Sequence, residues 1–250
     1  MVYNFARKGT KPMRRQYLGD EKDAFKWDYH HFLAHKTGVG AMRVLFMLTG
    51  NNEEKPWEGS SDPRNFKGAD ERIYSLCDAL KFSKTEDWMF LDIIRELPGG
   101  ADYRVHSDRD AERGFFDDRD REQYFGKFAP DGGDELVFID PNTGFERVAG
   151  TTCSHVRYDD IARVMSGVSE DSLVSVCQHS AYRSFDEHYR AIKKNLPLYS
   201  TALYWNGAGR GGMMFVVAGR SLRRIAEAAK WNRQYGRSRP AVTIAGDAGG

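Results

Sequence analysis

Two stretches of the chain end in side chains that could do chemistry. In the first, Glu135-Leu136-Val137-Phe138-Ile139-Asp140-Pro141-Asn142-Thr143-Gly144-Phe145-Glu146, a carboxylate, an amide and a second carboxylate follow four consecutive apolar residues. The second, Ser172-Leu173-Val174-Ser175-Val176-Cys177-Gln178-His179, closes on an amide and an imidazole. A carboxylate or imidazole fixed at such a point can orient a nucleophile or move a proton, and a set of carboxylates can ligate a hard cation. Asp20, Asp23 and Lys26 form a third charged group near the start of the chain. His31 and His35, four apart, would make half of a metal site on a helix; with no third ligand at motif spacing, packed or solvated histidines are expected.

The elements that position these groups follow from the apolar pattern. Both runs are rich in β-branched and aromatic residues and read as strands buried on both faces, as in a parallel sheet. Ligands of open α/β sheets bind outside the carboxyl ends of the strands, so Asp140, Asn142, Glu146 and His179 are predicted to meet at one edge. Pro141 stops the ladder, and Gly144 is expected to let the backbone approach a ligand. Met42 to Leu48 predicts another buried strand, closed by Gly50-Asn51-Asn52, which tolerate a positive φ.

Asp20 is a plausible N-cap for a helix with Phe25, Tyr29, Phe32 and Leu33 at helical spacing. Further helices are expected over Asp70 to Phe82, Thr85 to Leu97, Tyr158 to Val168, Phe185 to Leu196 and Leu222 to Trp231. Glu53 to Gly68 reads as a long loop. The strands Leu198 to Trp205 and Gly212 to Ala218 are joined by a glycine-rich connection that suits a hairpin and is too short for a helical crossover.

The whole pattern predicts a Rossmann-like α/β three-layer sandwich, with a mostly parallel sheet ending in an antiparallel hairpin. Residues 1–16 are expected to be a basic flexible arm, 17–237 a single domain with a charged insertion, helix or lid, around 102–128, and 238–250 a loose tail. The 250 residues carry a net charge of +1, so affinity for nucleic acid must come from local patches. Both ends supply them: Arg7, Lys8, Lys11, Arg14 and Arg15 at one, Arg220, Arg223, Arg224, Lys230, Arg233, Arg237 and Arg239 at the other. Cys77, Cys153 and Cys177 are odd in number and widely spaced, which argues against a disulfide framework and a cysteine zinc site. Without an apolar run long enough to span a membrane, the expectation is a cytoplasmic protein.

The layout resembles class I S-adenosylmethionine-dependent methyltransferases. It is most similar to the ribosomal-RNA adenine methyltransferase family that carries Gly-Asn-x-Ala-Asp-Val-Leu-Lys-His in its first helix and Asp-Pro-Pro-Tyr-Glu after its central strand. Gly19, Asp23 and Lys26 match the first motif, and Asp140-Pro141 opens the second, with Asn142 in place of proline and Thr143 in place of the aromatic residue. It also resembles uncharacterised prophage-type proteins with Gly-Asp-x-x-Asp-x-x-Lys near the start and an Asp-Pro-x-x-Gly motif. The resemblance implies that Asp140 orients an attacking base amine, with Phe145 as a stacking candidate, and that Gly19, Asp23, Lys26, Gly50 and Asn51 lie near the cofactor.

Three functions stay open on the sequence. The first is a base-modifying, S-adenosylmethionine-dependent enzyme whose basic termini grip nucleic acid. The second is a magnesium- or manganese-dependent nuclease or phosphodiesterase with Asp20, Asp23, Asp140 and Glu146 as ligands. The third is a non-catalytic, phage-derived binding or inhibitor protein. The substrate, the choice between DNA and RNA and the oligomeric state are not encoded in any motif.

Overall fold

In a computed structural model, residues 18–47, 59–82, 102–106, 119, 121–128, 130, 132–147, 150–179, 184–207 and 211–246 are described. The basic arm, Gly50, Asn51 and the helix expected over Thr85 to Leu97 lie outside them.

Helix α1 (Glu21–Thr37) starts where Asp20 caps it, its carboxylate accepting from the N–H groups of Lys22 and Asp23. Gly38, in the left-handed region at φ 65°, ends it. The strands are β1 (Ala41–Phe46), β2 (Asp102–His106), β3 (Glu135–Asp140), β4 (Gly144–Phe145), β5 (His155–Val156), β6 (Leu173–His179), β7 (Tyr199–Trp205), β8 (Met213–Gly219) and β9 (Val242–Ile244). The remaining helices among the described residues are α2 (Glu71–Phe82), α3 (Arg121–Gly126), α4 (Tyr158–Gly167), α5 (Phe185–Asn195) and α6 (Leu222–Ser238), with a short 3-10 turn at Pro63–Asn65.

Seven strands form one sheet in the order β2-β1-β3-β6-β8-β7-β9, and β4 and β5 pair separately. Neighbours from β2 to β6 are parallel, whereas β8 lies antiparallel between β6 and β7, and β9 is antiparallel to β7. This is the mostly parallel Rossmann-like sheet that the pattern predicts, with the hairpin folded back so that its second strand is the inner one. The central strands are buried on both faces because their side chains alternate into two cores. Leu136 and Phe138 of β3 join α1, α2 and α6 on one face, while Val137 and Ile139 join α3, α4 and α5 on the other.

Two expectations change. The charged segment from Asp102 begins with an edge strand, in which Tyr103 is buried and Asp102 exposed, and it also contains α3, whose Tyr124 and Phe125 enter the second core. The tail expected from Ser238 contributes the last residue of α6 and the short edge strand β9.

Helix α1 is the most buried of the described helices, packing against α2 and α6 as well as the sheet. Tyr29 stacks on Phe215 at 5.3 Å and donates to Asn232 of α6, while Asp28 accepts from Tyr235 and Arg239. Its approach to α2 is set by Gly19, at φ 78°, where a Cβ would stand 2.1 Å from the Cys77 carbonyl oxygen. Gly19→Ala is therefore expected to destabilise the fold by ~2 kcal/mol or more. Thermal unfolding should register a fall in Tm of about 4 °C or more; an unchanged Tm would contradict this packing.

Candidate functional site

The chain passes from β1 out to β2 and returns to β3 on the other side of β1, so the carboxyl ends of β1 and β3 flank a topological switch point. Asp140, the last residue of β3, is paired with Phe46, the last of β1, and its carbonyl accepts from Met47 N–H at 3.2 Å. The Asp140 side chain turns toward α1, where Lys26 Nζ lies 2.8 Å from Asp140 Oδ2 and 2.6 Å from Asp23 Oδ1. The second Asp23 oxygen accepts from Gly19 N–H at 2.7 Å. The structure thus brings together Gly19, Asp23, Lys26 and Asp140, four of the residues singled out in the sequence.

This ion cluster is inside the protein: Lys26 is 4% exposed and Asp140 1%. Burial alone would lower the pKa of the Lys26 ammonium, but Asp140 and Asp23 outweigh it and hold the pKa above the ordinary lysine value. Asp20 sits beside the cluster, and burial, reinforced by the Asp23 carboxylate, pushes its pKa up to about 7.

His30 completes the arrangement. Its Nδ1 is 2.7 Å from the Lys26 carbonyl oxygen, which can only accept, so the proton is on Nδ1 and Nε2 accepts from Ser175 Oγ at 2.8 Å. Its ring stacks on Phe138 at 3.9 Å, and burial pushes its pKa down to about 3. His30 is not among the residues singled out in the sequence, where His31 and His35 stand out as a pair four apart, expected to be packed or solvated. His31 bonds to the Tyr103 hydroxyl, and His35 is exposed. The available signal was the spacing Asp23, Lys26, His30, which places all three on one helical stripe.

The loop after Asp140 is pinned by β6, as the convergence of the two strands predicts. Gln178 Oε1 accepts from Phe145 N–H at 3.0 Å, and Thr143 O accepts from His179 N–H at 3.1 Å. His179 is kept neutral by burial and by Lys22 and Lys26, with a pKa pushed down to about 3. Gly144, at φ 130°, is needed because a Cβ would meet Gln178 Oε1 at 2.3 Å. The close approach seen here is to Gln178.

Other expected site residues serve different ends. Glu146 accepts from Tyr158 N–H at 2.7 Å, at the start of α4. Phe145 is buried against Tyr158, with ring centroids 5.8 Å apart, so it is not held out for stacking on a base. Asp20, Asp23, Asp140 and Glu146 do not form a metal cage: Asp20 caps α1, Lys26 occupies the space between the next two, and Glu146 accepts from the first N–H of α4. Among the described residues no group of three or more His, Cys, Asp or Glu side chains is placed to hold a metal ion.

Two buried polar atoms of α1 have no hydrogen-bond partner: Trp27 Nε1 and Glu21 Oε2. Trp27 is 1% exposed and packs edge-on against Phe46 and Phe138, near the carboxyl ends of β1 and β3. Such unpaired atoms are uncommon in native folds.

Removing the cation should expose the cost of the cluster. Lys26→Met leaves Asp23 and Asp140 facing each other in the interior and is expected to cost ~3–5 kcal/mol in denaturant unfolding. Adding Asp140→Leu should recover part of that loss. A Lys26→Met variant as stable as wild type would show that the cluster is not formed.

No protein-family model matches the chain, and no curated protein matches it. A similar solved structure is that of SMU.776, a protein assigned as a methyltransferase and solved in complex with SAH, at 12% identity and a TM-score of 0.37. The match covers 80% of this chain and 50% of that one, so this chain spans about half the length of that protein. The Rossmann-like fold rests on the sheet order and strand directions rather than on this likeness. No described helix is long and apolar enough to cross a membrane.

Proposed function

We propose that the protein is a nucleic-acid base-modifying enzyme of methyltransferase-like fold that uses S-adenosylmethionine. The observation that carries this reading is the position of the Asp23–Lys26–Asp140 cluster at the switch point between β1 and β3, where Rossmann-like sheets receive their ligands. Metal-dependent hydrolysis has no comparable support, since the ammonium of Lys26 fills the gap between two of its four candidate ligands.

The described residues offer a partial fit to the cofactor. The unpaired Trp27 N–H beside Phe46 is a donor suited to a carboxylate or hydroxyl oxygen. The cofactor, when bound, supplies a methyl group on a sulfonium. Asp140, being buried on Lys26, acts as a positioning residue: it fixes the start of the Pro141-Asn142-Thr143 segment, while Gln178 fixes its end. Asn142, partly exposed on that segment, is the side chain best placed to hold a substrate amine. Neutral His179 on the adjacent strand can exchange hydrogen bonds without adding a charge.

Arg223, Lys230, Arg233 and Arg237 are exposed and, with the exposed Arg220 just ahead of the helix, give α6 a basic face for phosphates. Arg224 instead turns inward, to the Thr37 carbonyl, and Arg239 to Asp28.

Calorimetry with S-adenosylmethionine tests the reading. Wild type is expected to bind with micromolar Kd, and Trp27→Phe, which removes only the indole N–H and a little volume, to bind about 3–10-fold more weakly. No binding by the folded wild-type protein would overturn the proposal and favour a non-catalytic binding role.

A further inference from the structure

We propose that Glu21, in the first turn of α1, accepts a hydrogen bond from an amino group of the substrate and selects amino-bearing bases over their carbonyl counterparts. This rests on the base-modification reading and extends it to the chemistry of the substrate.

Glu21 is 7% exposed, and its Oε2 is buried with no partner. A glutamate in the first turn gains from the helix dipole whether or not it is buried. Enclosing one oxygen without a donor adds a desolvation cost that an exposed rotamer would avoid. A ligand that supplies the missing donor accounts for a carboxylate held in this way.

The location suits a substrate. Glu21 N–H points to Ser61 Oγ at 3.5 Å, and on another side Glu21 Oε1 and Lys22 border Gly211, in the β7–β8 connection. That connection leaves β7 at Trp205 and enters β8 next to His179 of β6, since His179 and Met213 are register partners. Lys22 also lies close enough to His179 to depress its pKa. Glu21 therefore stands at the same sheet edge as the Asp140 loop, on the β6–β8–β7 side. Trp27 meets the sheet on the β1–β3 side. An unpaired acceptor and an unpaired donor thus lie six residues apart on one helix, at two neighbouring parts of this sheet edge.

The ligand chemistry follows from what already fills the helix end. The N–H groups of Lys22 and Asp23 are taken by Asp20 Oδ1, so this N-terminus is closed to an anion. Asp20, Glu21 and Asp23 crowd the turn with acceptors, and the Lys26 ammonium is shared between Asp23 and Asp140. The open valence is thus that of an acceptor, and its complement is an N–H donor. The exocyclic amino group of adenine or cytosine is such a donor; hypoxanthine and uracil carry a carbonyl oxygen at that position and hold their N–H on the neighbouring ring nitrogen, displaced from it. A carbonyl set against Glu21 would leave two acceptors facing each other.

The test compares calorimetric binding of adenosine with inosine, and of cytidine with uridine, to wild type and to Glu21→Ala, with S-adenosylmethionine binding measured on the same samples. Wild type is expected to bind the amino member of at least one pair about tenfold or more tighter, and Glu21→Ala to reduce that preference to about twofold or less. Equal binding within both pairs, no nucleoside binding, or a preference that survives Glu21→Ala would overturn the inference. If S-adenosylmethionine still binds in those cases, the inference alone fails; if it does not, the underlying reading fails as well. Thermal unfolding of Glu21→Leu gives an independent check: relief of an unpaired carboxylate predicts an equal or higher Tm, and a lower Tm would mark Glu21 as structural and overturn its assignment.

Discussion

An ammonium group inside the protein, held by carboxylates from two different elements, is the constraint on which the rest of this structure depends. Lys26 and Asp23 belong to α1, which precedes the whole sheet, and Asp140 belongs to β3, more than a hundred residues later. Taking three charges out of water is costly, and mutual attraction repays the cost only at close range with the remaining lone pairs satisfied. Both conditions are met, through contacts of 2.6 and 2.8 Å and through Gly19 N–H on the free Asp23 oxygen. An apolar trio of similar volume could match such a cluster in stability, but it would not fix the register of α1 against the end of β3 as narrowly. Register, not stability, is the stronger reason for the cluster to exist.

Its consequences spread along α1. Because Lys26 is anchored, His30 one turn later reaches Ser175 of β6, and the helix is tied to two adjacent parallel strands. The same placement sets Trp27 against Phe46 and Phe138 and brings Glu21 to the β7–β8 connection. On the opposite side of the switch point, the turn after Asp140 gains its shape from Gln178 and Thr143. The ion cluster is thus less a reacting group than a frame beside the switch point, on a helix that retains one unpaired donor and one unpaired acceptor.

The main strands and the Asp20 cap were legible because each has a strong local cause: runs of β-branched and aromatic residues, and a carboxylate just ahead of a helical stripe. The meeting of the β3 and β6 ends was legible too, since both runs stop in polar residues. The edge strands β2 and β9 were not. Asp102-Tyr103-Arg104-Val105-His106 alternates apolar and charged residues within a densely charged region, and Val242-Thr243-Ile244 is only three residues long; both gain their structure mainly from a neighbouring strand. At the candidate site, Asp140 and Lys26 could be named from motif likeness, but their contact is a tertiary fact. Glu146 looked available because a carboxylate after a strand end does not reveal that the next helix supplies an N–H to it. His30 passed unnoticed because a histidine within an aromatic helix carries no sign of the serine that it meets across the core.

The whole arrangement depends on Lys26 being charged and clamped in the interior. Nitrogen-15 NMR of the Lys26 side chain, assigned by comparison with Lys26→Met and followed through an alkaline titration, tests it most directly. A folded protein whose Lys26 ammonium remains protonated well above the ordinary lysine pKa of about 10.4, with slowly exchanging N–H protons, would agree with the two-carboxylate clamp. A Lys26 signal that titrates at or below that value, with rapid exchange, would contradict it.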